Sequence, residues 1–112
     1  MIKVDAKMLV HEFDYYAYTG EDRYHQPTYG SKQTITKCRI DYISQFSKNS
    51  REESTNLYAI IFCYADFTSP LPTFVEKSKV TIDGKDLIIE RVLPMAQPFS
   101  GDLFAYELEV IQ

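Results

Sequence analysis

The chain has 112 residues, 12 Lys and Arg against 16 Asp and Glu for a net charge of −4, and nine Tyr and seven Phe with no Trp. That length fits one domain that buries roughly two thirds of its unfolded surface without a disulfide or metal staple. The acidic, mixed-sign charge excludes a protein whose main task is to grip phosphate backbones, which needs a basic stripe. No stretch approaches the ~20 apolar residues of a membrane span.

The N-terminal segment Met1, Ile2, Lys3, Val4, Asp5, Ala6, Lys7 is charged and lacks an apolar signal core, so the protein is expected to be soluble and cytoplasmic where it is made. Residues 9–19 form the first predicted strand, with Phe13, Tyr15 and Ala17 on one side and Glu12, Asp14, Tyr16 and Tyr18 on the other. Residues 20–33 are polar and carry Gly20, Pro27 and Gly30, which reads as a long loop. Structureless loops of that length are uncommon in compact domains and are often functional, so this one is a candidate contact segment.

Residues 34–43 alternate, placing Thr36, Cys38, Ile40 and Tyr42 on one face and Lys37, Arg39 and Asp41 on the other. Residues 44–54 are Ser/Asn-rich and charged, as expected of a mobile hairpin tip. Within residues 55–65, both alternating sets of the run from Leu57 to Tyr64 are apolar, which predicts a strand covered on both faces; a buried helix is the rival reading. Pro70 and Pro72 then remove backbone donors and hold their predecessors extended. Residues 66–73 are therefore a stiff connector anchored by Phe67, Leu71 and Phe74, and residues 75–78 continue it or make one helical turn.

Asp83-Gly84 between two β-runs is a strong hairpin signal, because a type I′ turn needs positive φ at both central positions. Val80 and Ile82 face the core from one arm. Leu87 and Ile89, or Ile88 and Val92, face it from the other. Residues 93–102, with Pro94, Pro98, Ser100 and Gly101, read as a second loop. The closing strand puts Phe104, Tyr106, Leu108 and Val110 inward and Ala105, Glu107 and Glu109 outward. About six strands with regularly spaced turns predict an all-β fold, a small antiparallel β-barrel or sandwich with long polar loops, forming a single domain over residues 1–112.

The residues carry little chemistry. Cys38 and Cys63 stand singly in apolar runs and read as small core hydrophobes in a reducing compartment. His11 and His25 have no partner at metal-ligand spacing, and no nucleophile elbow or phosphate-binding glycine loop is present, so no catalytic, metal or cofactor site is expected. Glu107 and Glu109 share a strand face as paired glycosidase carboxylates might, but alternate Glu on a wet face is ordinary. Tyr15, Tyr16, Tyr18, Tyr24 and Tyr29 admit three readings: core residues, a protein-contact surface, or a base-stacking platform of the kind an OB-like single-stranded nucleic-acid-binding module uses. A deep apolar pocket with converging polar groups would instead mark a small enzyme or ligand-binding barrel, and nothing in the sequence points to one.

The run Ile60, Ile61, Phe62, Cys63, Tyr64, Ala65, Asp66, Phe67, Thr68, Ser69, Pro70, Leu71, Pro72, then Lys79 to Lys85, then Tyr106 to Ile111, resembles the minor capsid proteins of tailed phages and prophages of Firmicutes, small proteins of the head–tail joining type. The resemblance covers roughly the second half of the chain and rests on the pattern and order of segments. It implies a neck component of the virion: a small β-barrel that assembles as a ring under the portal. Its partners would be the portal or adaptor and the tail-completion proteins, with genomic DNA nearby but not tightly bound, and no membrane. Whether the chain is monomeric in isolation is left open. No catalytic residue carries over. The polar loops become the candidate protein-contact segments, with Tyr24, His25 and Tyr29 in one, Lys48, Arg51 and Glu52 in the other, and Leu71 on the connector; both loops are expected to order on assembly.

Overall fold

A computed structural model describes residues 6–43 and 57–112. After a 3-10 turn at Ala6–Met8 come β1 (His11–Tyr16), β2 (Tyr18–Glu21), β3 (Pro27–Tyr29), β4 (Gln33–Tyr42), β5 (Leu57–Tyr64), β6 (Lys79–Ile82), β7 (Lys85–Ala96) and β8 (Leu103–Ile111). Six strands close an antiparallel barrel in the order β1-β4-β5-β8-β7-β6, with β6 returning to β1; β2 and β3 form a separate two-stranded sheet. Closure leaves no free sheet edge around the wall. The expected all-β barrel is thus what the chain forms.

The interior is filled by Phe13, Tyr15, Ile35, Cys38, Ile40, Ala59, Ile61, Cys63, Phe74, Val80, Ile82, Leu87, Ile89, Leu108 and Val110. For the β6–β7 hairpin this selects Leu87 and Ile89 as the inner pair, Leu87 lying opposite Val80. Asp83 and Gly84 take φ of 50° and 79°, as a type I′ connection requires. Phe74 comes from the connector, not from a strand. It stacks edge-on against Tyr15 and Tyr106, with centroids 5.0 and 5.2 Å away, and so helps fill the barrel from the connector side. Leu71 packs against the same cluster, while Phe67 is half-buried.

Several expectations are corrected. The strand at residues 34–43 buries Ile35, Cys38 and Ile40; Thr36 is only half-buried and Tyr42 is exposed. Lys37, at φ 58°, adds one residue to β4 where its register with β1 slips, and this bulge shifts the inward set by one position. Thr68 pins the bulge: its hydroxyl donates to the Lys37 carbonyl at 2.7 Å and accepts from the Tyr64 N–H at 2.9 Å. Second, β5 is covered on one face only. Leu57, Ala59, Ile61 and Cys63 are buried, whereas Tyr58, Ile60, Phe62 and Tyr64 are half-exposed outside. Third, residues 20–33 are not a loop. They hold most of a β2–β3 hairpin whose turn is closed by Asp22. Fourth, β7 runs to Ala96, straight through Pro94. β6 has already ended opposite Ile88, so Pro94 sits where β7 pairs with a strand on one side only, a position that tolerates a missing N–H. Ala105, expected on the wet side, is buried between Tyr64 and Met95 in the outer row.

Candidate functional site

The barrel has two dissimilar ends. Strand directions place the β2–β3 hairpin, the connector of residues 65–78 and the β7–β8 tip of residues 97–102 at one end. Tyr42 and Leu57, the strand ends that flank the predicted tip at residues 44–54, lie at the other, together with the Asp83-Gly84 turn. The two segments read as contact loops therefore leave from opposite ends. Lys48, Arg51 and Glu52 lie outside the described residues.

The hairpin is built locally and then fastened to the barrel. At its tip the Asp22 carboxylate accepts the N–H groups of Tyr24 at 2.8 Å and Gln26 at 3.0 Å, and the Asp22 carbonyl accepts from His25 N–H at 3.0 Å. His25 holds φ 60°, the left-handed position that follows such a turn. Arg23 lies over the Tyr24 ring at 4.9 Å and donates to its hydroxyl. Tyr24 and His25 are thus both exposed at the turn, while Tyr29 lies half-buried at the hairpin base.

At that base Ser78 is fully buried. Its hydroxyl accepts Tyr18 N–H at 2.9 Å and meets Tyr15 Oη at 3.2 Å; Tyr15 Oη in turn accepts Val75 N–H at 3.0 Å. Among the described residues no buried side-chain nitrogen or oxygen lacks a partner. This polar knot ties hairpin, connector and β1 together.

Outside the knot, Lys79 Nζ stands 4.4 Å from the Tyr16 ring and 5.3 Å from Tyr29, and Lys77 Nζ 5.8 Å from Tyr18. Tyr18 and Tyr29 also meet edge to face at 6.4 Å. These tyrosines are engaged by lysines of their own chain and do not form the open row of faces that bases stack on. Between hairpin and wall runs a groove of about 320 Å³ lined by Tyr18, Glu21, Pro27, Tyr29, Lys77 and Ile88.

Two further surfaces carry no signal that the sequence reading used. Phe99, on the β7–β8 tip, is 96% exposed. Its turn is closed by Gln97 N–H to the Asp102 carbonyl at 2.7 Å and by Gly101 at φ 77°. A phenylalanine in a Pro-Ser-Gly turn, where no strand can bury it, is the cue that would have marked it. The other surface is the outer row of β5. Ile60 lies between Asp41 and Glu109, and Phe62 between Arg39 and Glu107, so an apolar strip runs between charged borders. Asp41 is paired with Arg39 at 2.8 Å and Glu109 with Arg91 at 3.8 Å, so Glu109 here stands in an ordinary wet-face ion pair. The Tyr64 phenol at the end of this strip is pushed up by burial and then by the Asp41 carboxylate.

The described residues bring no three His, Cys, Asp or Glu together as a cation site. Burial pushes the Cys38 thiol up to about 12, and the Cys63 thiol, still deeper, further up; both are free and protonated in the core. No described helix is long and apolar enough to cross a membrane. What the described residues offer is a closed β-barrel wall with an exposed aromatic tip at Phe99 and a half-exposed apolar strip on β5.

Comparison with known proteins makes the class specific. Residues 5–110 match the family described as minor capsid protein. The chain is also 31% identical over 94 residues to uncharacterized protein ORF5 of Lactococcus phage LL-H, an alignment that covers 81% of this chain and 80% of that relative. No solved structure matches. The chain belongs to the minor capsid protein family, as the resemblance of its second half implied, and is a structural protein of the phage virion.

Proposed function

We propose that this minor capsid protein is a head–tail joining component of the neck, not an enzyme. It assembles in a ring under the portal and helps close the DNA channel. The observation that carries the reading is the two-ended barrel. A closed, rigid wall presents hairpin, connector and aromatic tip at one end and the β4–β5 connection at the other. A joint between two unlike neighbours, the portal or adaptor on one side and a tail-completion protein on the other, needs such a body. The net charge of −4 suits a conduit that lets its cargo pass without holding it.

Deletion of residues 48–53 tests the reading. The barrel core lies elsewhere, so the variant is expected to keep the wild-type melting profile. Phage carrying it should accumulate filled or leaking heads without tails, counted by electron microscopy of lysates. Normal tailed particles from that deletion would remove the neck assignment of that end.

A further inference from the structure

The β7–β8 tip and the hairpin groove complement each other. The tip projects the Phe99 ring with Asp66 and Asp102 beside it; these three residues share one cleft of about 350 Å³. The groove is walled by Tyr18, Pro27, Tyr29 and Ile88, apolar or aromatic, and its cations are Lys77 at the rim and Lys79 against Tyr29. Neither lysine is in an ion pair with a described residue, and neither is Asp66 or Asp102; Glu21 is the one acidic side chain lining the groove. A volume of about 320 Å³ admits a phenyl ring.

Tip and groove cannot meet within one chain. Ile88 lines the groove and Ala96 precedes the tip on the same strand, so they lie about 26 Å apart at roughly 3.3 Å per residue. From this we infer that Phe99 of one copy seats in the Tyr18–Tyr29 groove of a second copy, with Asp66 and Asp102 facing Lys77 and Lys79. Tip and groove are different patches, so their unreciprocated pairing is head-to-tail and repeats around a ring where its rotation closes, whereas a reciprocal pairing would end at a two-fold dimer, the outcome that growth beyond dimer excludes. This rests on the ring-forming reading above and names the residues that make the ring.

Complementary variants test it. Phe99→Ser spoils the tip and leaves the groove; Lys77→Glu with Ile88→Glu spoils the groove and leaves the tip. Wild type is expected to grow in mass beyond dimer by sedimentation velocity as concentration rises to about 1 mM, the weak end of measurable association. Each variant alone should lose at least tenfold in association, and an equimolar mixture should stop at dimer, because one good tip meets one good groove. Lys77→Glu alone, with a less invasive change, should show a weaker form of the same loss. Unchanged melting temperatures certify the folds; should the double variant melt early, the Phe99→Ser and Lys77→Glu pair decides. Wild type that stays monomeric at the highest concentration, variants that associate like wild type, or a mixture with no dimer each overturn the contact. The neck reading is judged separately, by whether phage lacking this protein or carrying the 48–53 deletion make tailless heads.

Discussion

Ser78→Ala should loosen the hairpin from the barrel at a cost that the geometry sets. The Ser78 hydroxyl accepts Tyr18 N–H at 2.9 Å and meets Tyr15 Oη at 3.2 Å, and both the serine and the tyrosine are buried. Alanine leaves the Tyr18 donor without its partner, worth about 1–3 kcal/mol, and deprives Tyr15 of a bond worth about 0.5–1.5 kcal/mol. A loss of about 1.5–4.5 kcal/mol follows. At about 2.1 cal/mol/K per residue a chain of this length has an unfolding entropy near 235 cal/mol/K, so the melting temperature should fall by about 6–19 °C. Thermal circular dichroism measures that drop, and amide exchange at Tyr18 and Gly30, whose N–H groups bond Ser78 Oγ and Ala17 O, should quicken more than exchange in β5. Tyr15→Phe keeps the ring against Phe74 but orphans Val75 N–H and takes one bond from Ser78, so it should cost a similar amount. A Ser78→Ala chain that melts within 2 °C of wild type, taken as about 0.5 kcal/mol, refutes the knot as the fastening.

Phe74→Ala empties the connector side of the barrel of a ring that stacks on Tyr15 and Tyr106, and urea denaturation should show a loss of about 3–5 kcal/mol. Thr68→Val keeps the shape but orphans the Lys37 carbonyl and Tyr64 N–H; it should cost about 1–3 kcal/mol and quicken exchange around the bulge. The thiols set an alkaline limit. Cys38 keeps its proton to about 12 in the fold, against an ordinary value of 9.0, so above pH 9 the unfolded chain loses a proton that the folded chain retains, and stability falls as pH rises. At pH 10 each buried thiol should contribute about 1.4 kcal/mol less than at pH 7. Urea midpoints at both pH values, compared with those of Cys38→Ala/Cys63→Ala, isolate that slope, and equal slopes in the two proteins would count against it.

The fold was legible where local chemistry and tertiary pairing agree. Asp83-Gly84 demands one kind of turn, and Phe13 and Tyr15 fall inward as their alternation requires, although the strand read over residues 9–19 breaks at Ala17 and Tyr18 begins β2 of a separate sheet. It was illegible where one residue resets the count. Lys37 takes a left-handed conformation that no glycine announces, and it shifts the inward set of β4 behind a sequence that alternates cleanly. The β2–β3 hairpin is hidden in the same way. Its left-handed turn residue is His25, and its closing acceptor is the Asp22 side chain, so polarity reads as loop until the carboxylate is seen to hold two amides. Pro94 disguises the upper half of β7, because whether a proline breaks a strand depends on whether a neighbour lies on that side, and that is a property of the sheet. Of the candidate contact residues, Tyr24 and His25 stand out at the hairpin turn. Tyr29 and Leu71 are partly spent holding segments to the body, whereas Phe99 stands exposed, its setting between Pro98 and Ser100-Gly101 being the one sequence cue to that exposure.

The placing of β8 also governs when the protein can exist. Leu103–Ile111 lies between β5 and β7, in the middle of the wall, although it comes after every other strand in the chain. Until those residues leave the ribosome, β5 and β7 have no shared partner, and β1 cannot be held in a closed ring with β6. Such late, long-range closure is slow in folding terms. It acts as a quality check: a chain halted before Leu103 has no barrel to offer.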